Sequence, residues 1–181
     1  MVANTSTAAY ESTTCVGGVI GQNFYTVSNC EVSGTIELLS EFTTPSKLTY
    51  RVYCGGLVGW NVSDSALLKD SKVSANMKVT SKDALNLMVG LVAGQNGGTS
   101  ATNYSKIANC SYTLPAEGKC EVNAYEQRAH IGLVGLDKNS AHSSYSSTSE
   151  FNITVNLYHK VKDAENKEVL ELKETSNVNI K

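Results

Sequence analysis

Four glycine-rich octets recur in the chain: VGGVIGQN from Val16, CGGLVGWN from Cys54, VGLVAGQN from Val89 and IGLVGLDK from Ile131. A glycine-rich turn can cradle a phosphate on its backbone N–H groups, but it then needs a helix N-terminus behind it and usually a lysine. No helical pattern follows any octet, so four phosphate loops are not expected. Carboxylate chemistry is equally thin. Glu31, Glu37 and Glu41 come nearest to an acid and base pair for a polysaccharide-cleaving β protein. Equivalent positions downstream hold Lys72, Lys78 and Ser111, which marks them as solvent-facing strand residues. His130, His142 and His159 have no evident Ser or Cys partner. Asp64, Asp70 and Asp137 offer carboxylates near turns, without the D-x-D-x-D-G spacing of a calcium loop. Cys15, Cys30, Cys54, Cys110 and Cys120 form no CxxC pair, and their odd number rules out a complete disulfide framework. No catalytic residue, metal or cofactor is therefore expected. The remaining candidates are aromatic. Tyr25, Trp60, Tyr104 and Tyr145, with Phe24, stand in Asn/Ser-rich loops, where ring faces pack on sugar CH patches and amides satisfy hydroxyls. The competing reading is that they cap the core at a corner.

What positions these residues is a repeat. The last glycines of the octets, Gly21, Gly59, Gly94 and Gly135, are 38, 35 and 41 residues apart, a period typical of stacked-repeat architectures. A second pattern follows each octet, at 26–38, 67–79, 106–114 and 147–157. Here Cys30, Ser71, Cys110 and Phe151 align, each preceded by a polar residue suited to a turn: Asn29, Asp70, Asn109 and Glu150. Two residues beyond the Cys/Ser/Phe column stand Val32, Val73, Tyr112 and Ile153, and the alternation goes on through Ile36, Met77 and Val155, the period of a strand with one buried face. Cys54 is aligned with Val16 and Met88 as an apolar column. A third strand is expected to lead into each later octet, at 47–54, 83–89 and 120–131. Asn23, Asn61, Asn96 and Asp137 each stand two residues past the last glycine of an octet and are expected to bond one another as a ladder or to cap the turn backbone.

The stretches GGLVGWN, GGVIGQN and VSNCEVSGTI resemble the GLUG motif, a glycine-rich repeat of bacterial surface proteins that include adhesins and the non-catalytic regions of IgA-cleaving metallopeptidases. The likeness extends over roughly residues 12 to 157 and is good in the first three copies. The fourth keeps its glycines but loses Gln-Asn and Cys. The resemblance implies an exported, surface-attached β protein, extracellular or at the bacterial cell surface, and names no ligand. The His-Glu-x-x-His of the peptidase relatives is missing, so their activity is not carried over.

Composition agrees with a β reading. Only 2 of 181 residues are proline, 41% are hydrophobic and 18% charged, enough apolar content for one buried core. The net charge of −2 and the lack of a Lys/Arg block exclude the footprint of a nucleic-acid binder. No apolar run approaches the ~20 residues that span a bilayer, and MVANTSTAAYEST lacks the basic region followed by an apolar one that is expected of a signal sequence. The expected fold is all-β, a right-handed parallel β-solenoid of about four coils over residues 1–158, with a β-sandwich as the alternative. Residues 159–181, dense in Lys and Glu, are expected to form a C-terminal β cap turning near DAEN, or the start of a following segment. The expected function is a non-catalytic adhesion module recognising a host glycan or protein through loops on one face, the alternative a structural spacer, and a carbohydrate-active enzyme the last choice.

Overall fold

The computed structural model describes residues 13–40, 51–81, 86–98, 105–125 and 129–181. It is all-β with parallel sheets; the one helical element among these residues is a 3-10 turn at Ser140–His142. The first repeat supplies β1 (Thr13–Gly17), β2 (Ile20–Asn23), β3 (Thr26–Ser28) and β4 (Glu31–Ser40). The second supplies β5 (Arg51–Gly55), β6 (Val58–Asn61), β7 (Leu67–Lys69) and β8 (Lys72–Ser81). The third runs through β9 (Asn86–Asn96), β10 (Lys106–Ala108), β11 (Cys110–Tyr112) and β12 (Cys120–Tyr125). The fourth has β13 (Ala129–Asp137), β14 (Tyr145–Ser147) and β15 (Phe151–Lys162), and β16 (Glu168–Ile180) follows it.

Strands pair with their equivalents in the next repeat, in parallel and in sequence order. In the first sheet β1 pairs β5 and β2 pairs β6; both β5 and β6 pair the long β9, which pairs β13. A small sheet stacks β3, β7 and β10. The third sheet carries β4, β8, β12 and β15, with β11 and β14 alongside. Burial alternates along β8, whereas β5 and β9 are buried on both faces; Val52, Cys54, Leu57, Val58, Leu68, Met77, Val79, Leu91 and Val92 are all essentially solvent-free and belong to one core. The last pairing is antiparallel. β15 turns through Asp163–Lys167 into β16, with Asn166 in the left-handed region at φ 61. The turn expected near DAEN is thus present, and a strand rich in Glu and Lys borders the third sheet, where charge discourages further pairing.

Three expectations are corrected. Phe151 does not share the column of Cys30, Ser71 and Cys110; Tyr145 stands opposite Cys110, and the pairing of Thr154 with Glu121 sets Ile153 beside the column of Met77 and Cys120, four residues beyond Val73. The chain leaves the ladder after Ser147 and re-enters at Phe151, so a column counted without that break is displaced. By the same register Val155 stands with Val122 and Val79, opposite Leu38 rather than Ile36. Residues 120–131 are not one strand: β12 continues the third sheet beside β8, and β13 leads into the fourth octet in the first sheet. Cys54 pairs Val16 and Val89, whereas Met88 stands opposite Tyr53 on the other face, the result of a one-residue slip.

Candidate functional site

The columns legible in the sequence converge on one internal feature, a line of polar side chains running across the repeats. Asn23, Asn61 and Asn96 are buried at the ends of β2, β6 and β9, and Asp137 ends β13. Asn23 Nδ2 donates to Asn61 Oδ1 at 2.8 Å, Asn61 Nδ2 to Asn96 Oδ1 at 2.8 Å, and Asn96 Nδ2 to Asp137 Oδ1 at 3.0 Å. Asparagine suits the position because it carries both a donor and an acceptor, whereas a carboxylate only accepts. Asp137 therefore fixes the direction of the line: Asn96 must donate toward it, so its oxygen is left to accept from Asn61, and so back to Asn23. The spare amide hydrogens meet the carbonyls of the chain turning past them, Tyr25 O at 3.0 Å, Lys106 O at 3.1 Å and the Ser143 hydroxyl at 3.1 Å. Both sequence expectations for this column, ladder and turn cap, are met by the same groups.

The glycines bring the strands close enough for this. A Cβ on Gly59 would lie 2.7 Å from Gly21 O and 2.7 Å from Val16 N; on Gly94, 2.6 Å from Gly59 O and 2.7 Å from Cys54 N; on Gly135, 2.7 Å from Val89 N. The last glycine of the second, third and fourth octets thus rests on the backbone of the repeat before it. The octets are packing devices, and their N–H groups are consumed between repeats: Gly56 N donates to Gly90 O and Leu57 N to Val92 O.

The corners between the small and the large sheet are built alike. Asn29, Asp70 and Asn109 have φ of 53, 48 and 52, the left-handed conformation that short polar side chains tolerate. Next to them Cys30 Sγ donates to Ser28 O, Ser71 Oγ to Lys69 O and Cys110 Sγ to Ala108 O, in each case the carbonyl two residues back. That column needs a small side chain with a donor, which Ser and Cys both supply. Glu150 has no such place; in the fourth repeat Ser144 answers Asn109, its hydroxyl accepting from Asn109 N at 2.8 Å.

The aromatic candidates are dispersed. Tyr25 is 77% exposed and follows β2, its backbone N–H bonded to Asn23 Oδ1. Trp60 lies in the first sheet between Gln22 and Gln95 of the adjacent repeats, edge-on to the buried Tyr53 at 5.2 Å, with its indole N–H donating to Gly97 O at 2.9 Å. Tyr145 is half-buried against the core at the start of β14, in the third sheet. Tyr104 lies outside the described residues, as does Glu41. Trp60 and Tyr145 thus occupy columns of different sheets. The acids singled out earlier have structural neighbours: Glu37 pairs Lys78 at 3.0 Å in solvent, and Asp70 accepts from Asn109 Nδ2. His159 meets Glu171 across the hairpin at 3.7 Å. Among the described residues no three His, Cys, Asp or Glu side chains gather as a metal site, and no helix is long and apolar enough to cross a membrane.

Comparison with known families bears on the first repeat. A family model, the GLUG motif, matches residues 12–37. This stretch is a GLUG motif. It contains the first octet, the first ladder residue Asn23, the corner at Asn29 and most of β4, and the paired registers carry the same columns into the second and third repeats. No curated protein and no solved structure matches the chain.

Burial also sets the protonation of the interior. It pushes the Cys54 thiol up to about 12, and pushes Tyr145 to about 12 with help from the Asp137 charge; Tyr112 is raised by burial and then by Cys120. These acids stay neutral in the fold where the unfolded chain ionises. Their stabilising contribution is complete below the ordinary thiol value of 9.0 and is lost as pH rises from there toward about 12. The urea midpoint is expected to fall steadily over that interval, and a titration showing no decline would refute the assignment. At about pH 8 a thiol reagent should leave Cys54 unlabelled until the chain is denatured.

Proposed function

We propose that this chain is a non-catalytic stacked-repeat module of a larger bacterial cell-surface protein, a right-handed parallel β-solenoid of four coils in which β16 closes one end of the third sheet. The observation that carries this reading is that the motif's own residues are spent internally. The glycines rest on neighbouring backbone, the asparagines bond one another, and Cys30, Ser71 and Cys110 bond corner carbonyls. A repeat whose recurring columns are occupied in this way holds and spaces what is attached to it. Burial of Cys54, Cys110 and Cys120 suits an exported life, since thiols without solvent contact resist oxidation.

The second reading is adhesion, and one observation favours it. Phe24 and Tyr25 are 49% and 77% exposed in the first repeat, beside the polar turn that follows Asn23. Adjacent exposed rings are what a glycan or protein ligand would engage. The test is binding of the purified domain to panels of glycans and extracellular-matrix proteins, repeated with Phe24→Ala/Tyr25→Ala. The structural reading expects no saturable binding by folded wild type. Saturable binding lost in the double variant would replace it with adhesion.

A further inference from the structure

The third ladder residue is followed by glycine, and Asn96-Gly97 is the sole Asn-Gly dipeptide in the sequence. This pair is chemically labile. The backbone nitrogen of the glycine attacks the asparagine Cγ, ammonia departs, and a five-membered succinimide forms; water then opens it at either carbonyl, leaving aspartate or isoaspartate. Glycine makes the attack easy because no side chain hinders its nitrogen. The reaction needs a free glycine N–H, a mobile amide and a peptide able to rotate.

In the folded chain all three are withheld, by groups from neighbouring repeats. Asn96 is fully buried, its Oδ1 accepting from Asn61 Nδ2 at 2.8 Å and its Nδ2 donating to Asp137 at 3.0 Å and Ser143 at 3.1 Å. Gly97 N, the nucleophile, donates to Asn61 O at 3.0 Å. Gly97 O accepts from the Trp60 indole at 2.9 Å and from Gln95 Nε2 at 2.9 Å. Lys138 Nζ reaches over to Gly98 O at 3.0 Å. Second and fourth repeats therefore clamp the labile peptide of the third.

We propose that Asn96 is a latent deamidation site that the stacked fold keeps shut, and that its opening marks an unfolded chain irreversibly. Trp60 is a positioning residue in this scheme, holding the peptide after Asn96 in place. Either product ends the ladder's relay. Aspartate at this position would set a carboxylate against Asp137, and isoaspartate would add a methylene to the backbone of a strand paired on both sides. The modified chain then does not regain the stacked state.

Peptide mapping by mass spectrometry tests this, on whole protein held at mildly alkaline pH with and without denaturant. The Asn96 peptide is expected to stay intact in the fold and to convert to aspartate and isoaspartate in denaturant. Cyclisation requires local opening, so each ~1.4 kcal/mol of opening free energy slows it about tenfold, and a slowing of at least about a hundredfold is expected. Trp60→Phe keeps a ring but removes the donor to Gly97 O; shown to be folded by circular dichroism, it should deamidate at Asn96 several-fold faster than wild type. Returned to native buffer, the unmodified fraction should refold and the modified fraction should not. Equal rates with and without denaturant, an intact site in denaturant, or an unchanged rate in folded Trp60→Phe would each overturn the proposal.

Discussion

Gly94→Ala is expected to leave the chain unfolded under conditions where Gly34→Ala leaves it folded. At Gly94 the added methyl would lie 2.6 Å from Gly59 O, 2.7 Å from Cys54 N and 3.0 Å from Cys54 O. All three neighbours are backbone, so no side chain can swing aside. Relief would require the third repeat to lift from the second, which breaks the β6–β9 pairing and pulls Asn61 from Asn96. Overpacking a rigid core costs about 1–3 kcal/mol and more where nothing can shift. Here at least about 3 kcal/mol is expected, against a total stability of roughly 5–15 kcal/mol. Gly34 supplies the contrast. Its φ is +100, but nothing lies within 4 Å of its would-be Cβ, so alanine there meets only the left-handed penalty of about 1–2 kcal/mol. Urea denaturation of both variants decides the matter. A Gly94→Ala midpoint close to that of Gly34→Ala would show that the repeats are more loosely stacked than these distances require.

The same steric demand explains why so much of the fold was legible in the sequence. Where backbone approaches backbone only glycine fits, and where φ is positive a short polar residue is favoured, so Gly21, Gly59 and Gly94 and the corners Asn29, Asp70 and Asn109 repeat by type. The ladder was legible for a related reason: a side chain bonded on two sides needs both a donor and an acceptor, which narrows the choice to an amide. The fourth repeat obeys weaker constraints because, among the described residues, β13 pairs β9 alone in its sheet. Asp137 can end the ladder without donating, and a phenol at Tyr145 can stand where Ser71 and Cys110 are confined. The identities drift there, and the break after Ser147 displaces the count.

Partners chosen across repeats leave no local trace at all. Trp60 reads as a surface aromatic until Gly97 O, 37 positions away, is seen to accept its N–H. Tyr112 reads as one more apolar residue of a strand. Its hydroxyl, however, donates to Ala75 O at 2.6 Å and meets Cys120 Sγ at 3.0 Å, deep in the core. The spacing of a repeat places columns but does not state which atom of one column faces which atom of the next. For that reason the glycine and asparagine columns could be named from the sequence, and the clamp on Gly97 could not.

Asn61→Asp should be strongly destabilising at neutral pH and should recover stability in acid. The side chain is wholly buried, accepting from Asn23 and donating to Asn96 Oδ1 and Lys106 O. An ionised carboxylate keeps the acceptor and loses both donations, which strands the buried Asn96 oxygen at about 1–3 kcal/mol, takes a donor from the part-buried Lys106 O and places a charge beside the Asn96 oxygen. A protonated carboxyl is a donor again and can restore one of the two bonds. Its folded pKa must then lie above the ordinary ~3.9 of an aspartate, since the fold favours the neutral form. With the folded value raised, the unfolded chain holds fewer protons through that interval, so stability falls as pH rises from about 4 and is regained as pH drops back. Asn61→Leu removes the pH-dependent group, takes the same donations from Asn96 Oδ1 and Lys106 O and leaves Asn23 Nδ2 without its acceptor, so it should be destabilised by about 2–5 kcal/mol with no recovery in acid relative to wild type. Urea midpoints of the two variants and wild type, measured from about pH 4 to pH 8, separate the effects. A flat profile for Asn61→Asp relative to wild type would mean that the amide does not relay a hydrogen bond through the stack. An accept-only residue breaks the line in mid-ladder but suits its end at Asp137, where Asn96 Nδ2 only has to donate, and that contrast is what a one-way chain of donors requires.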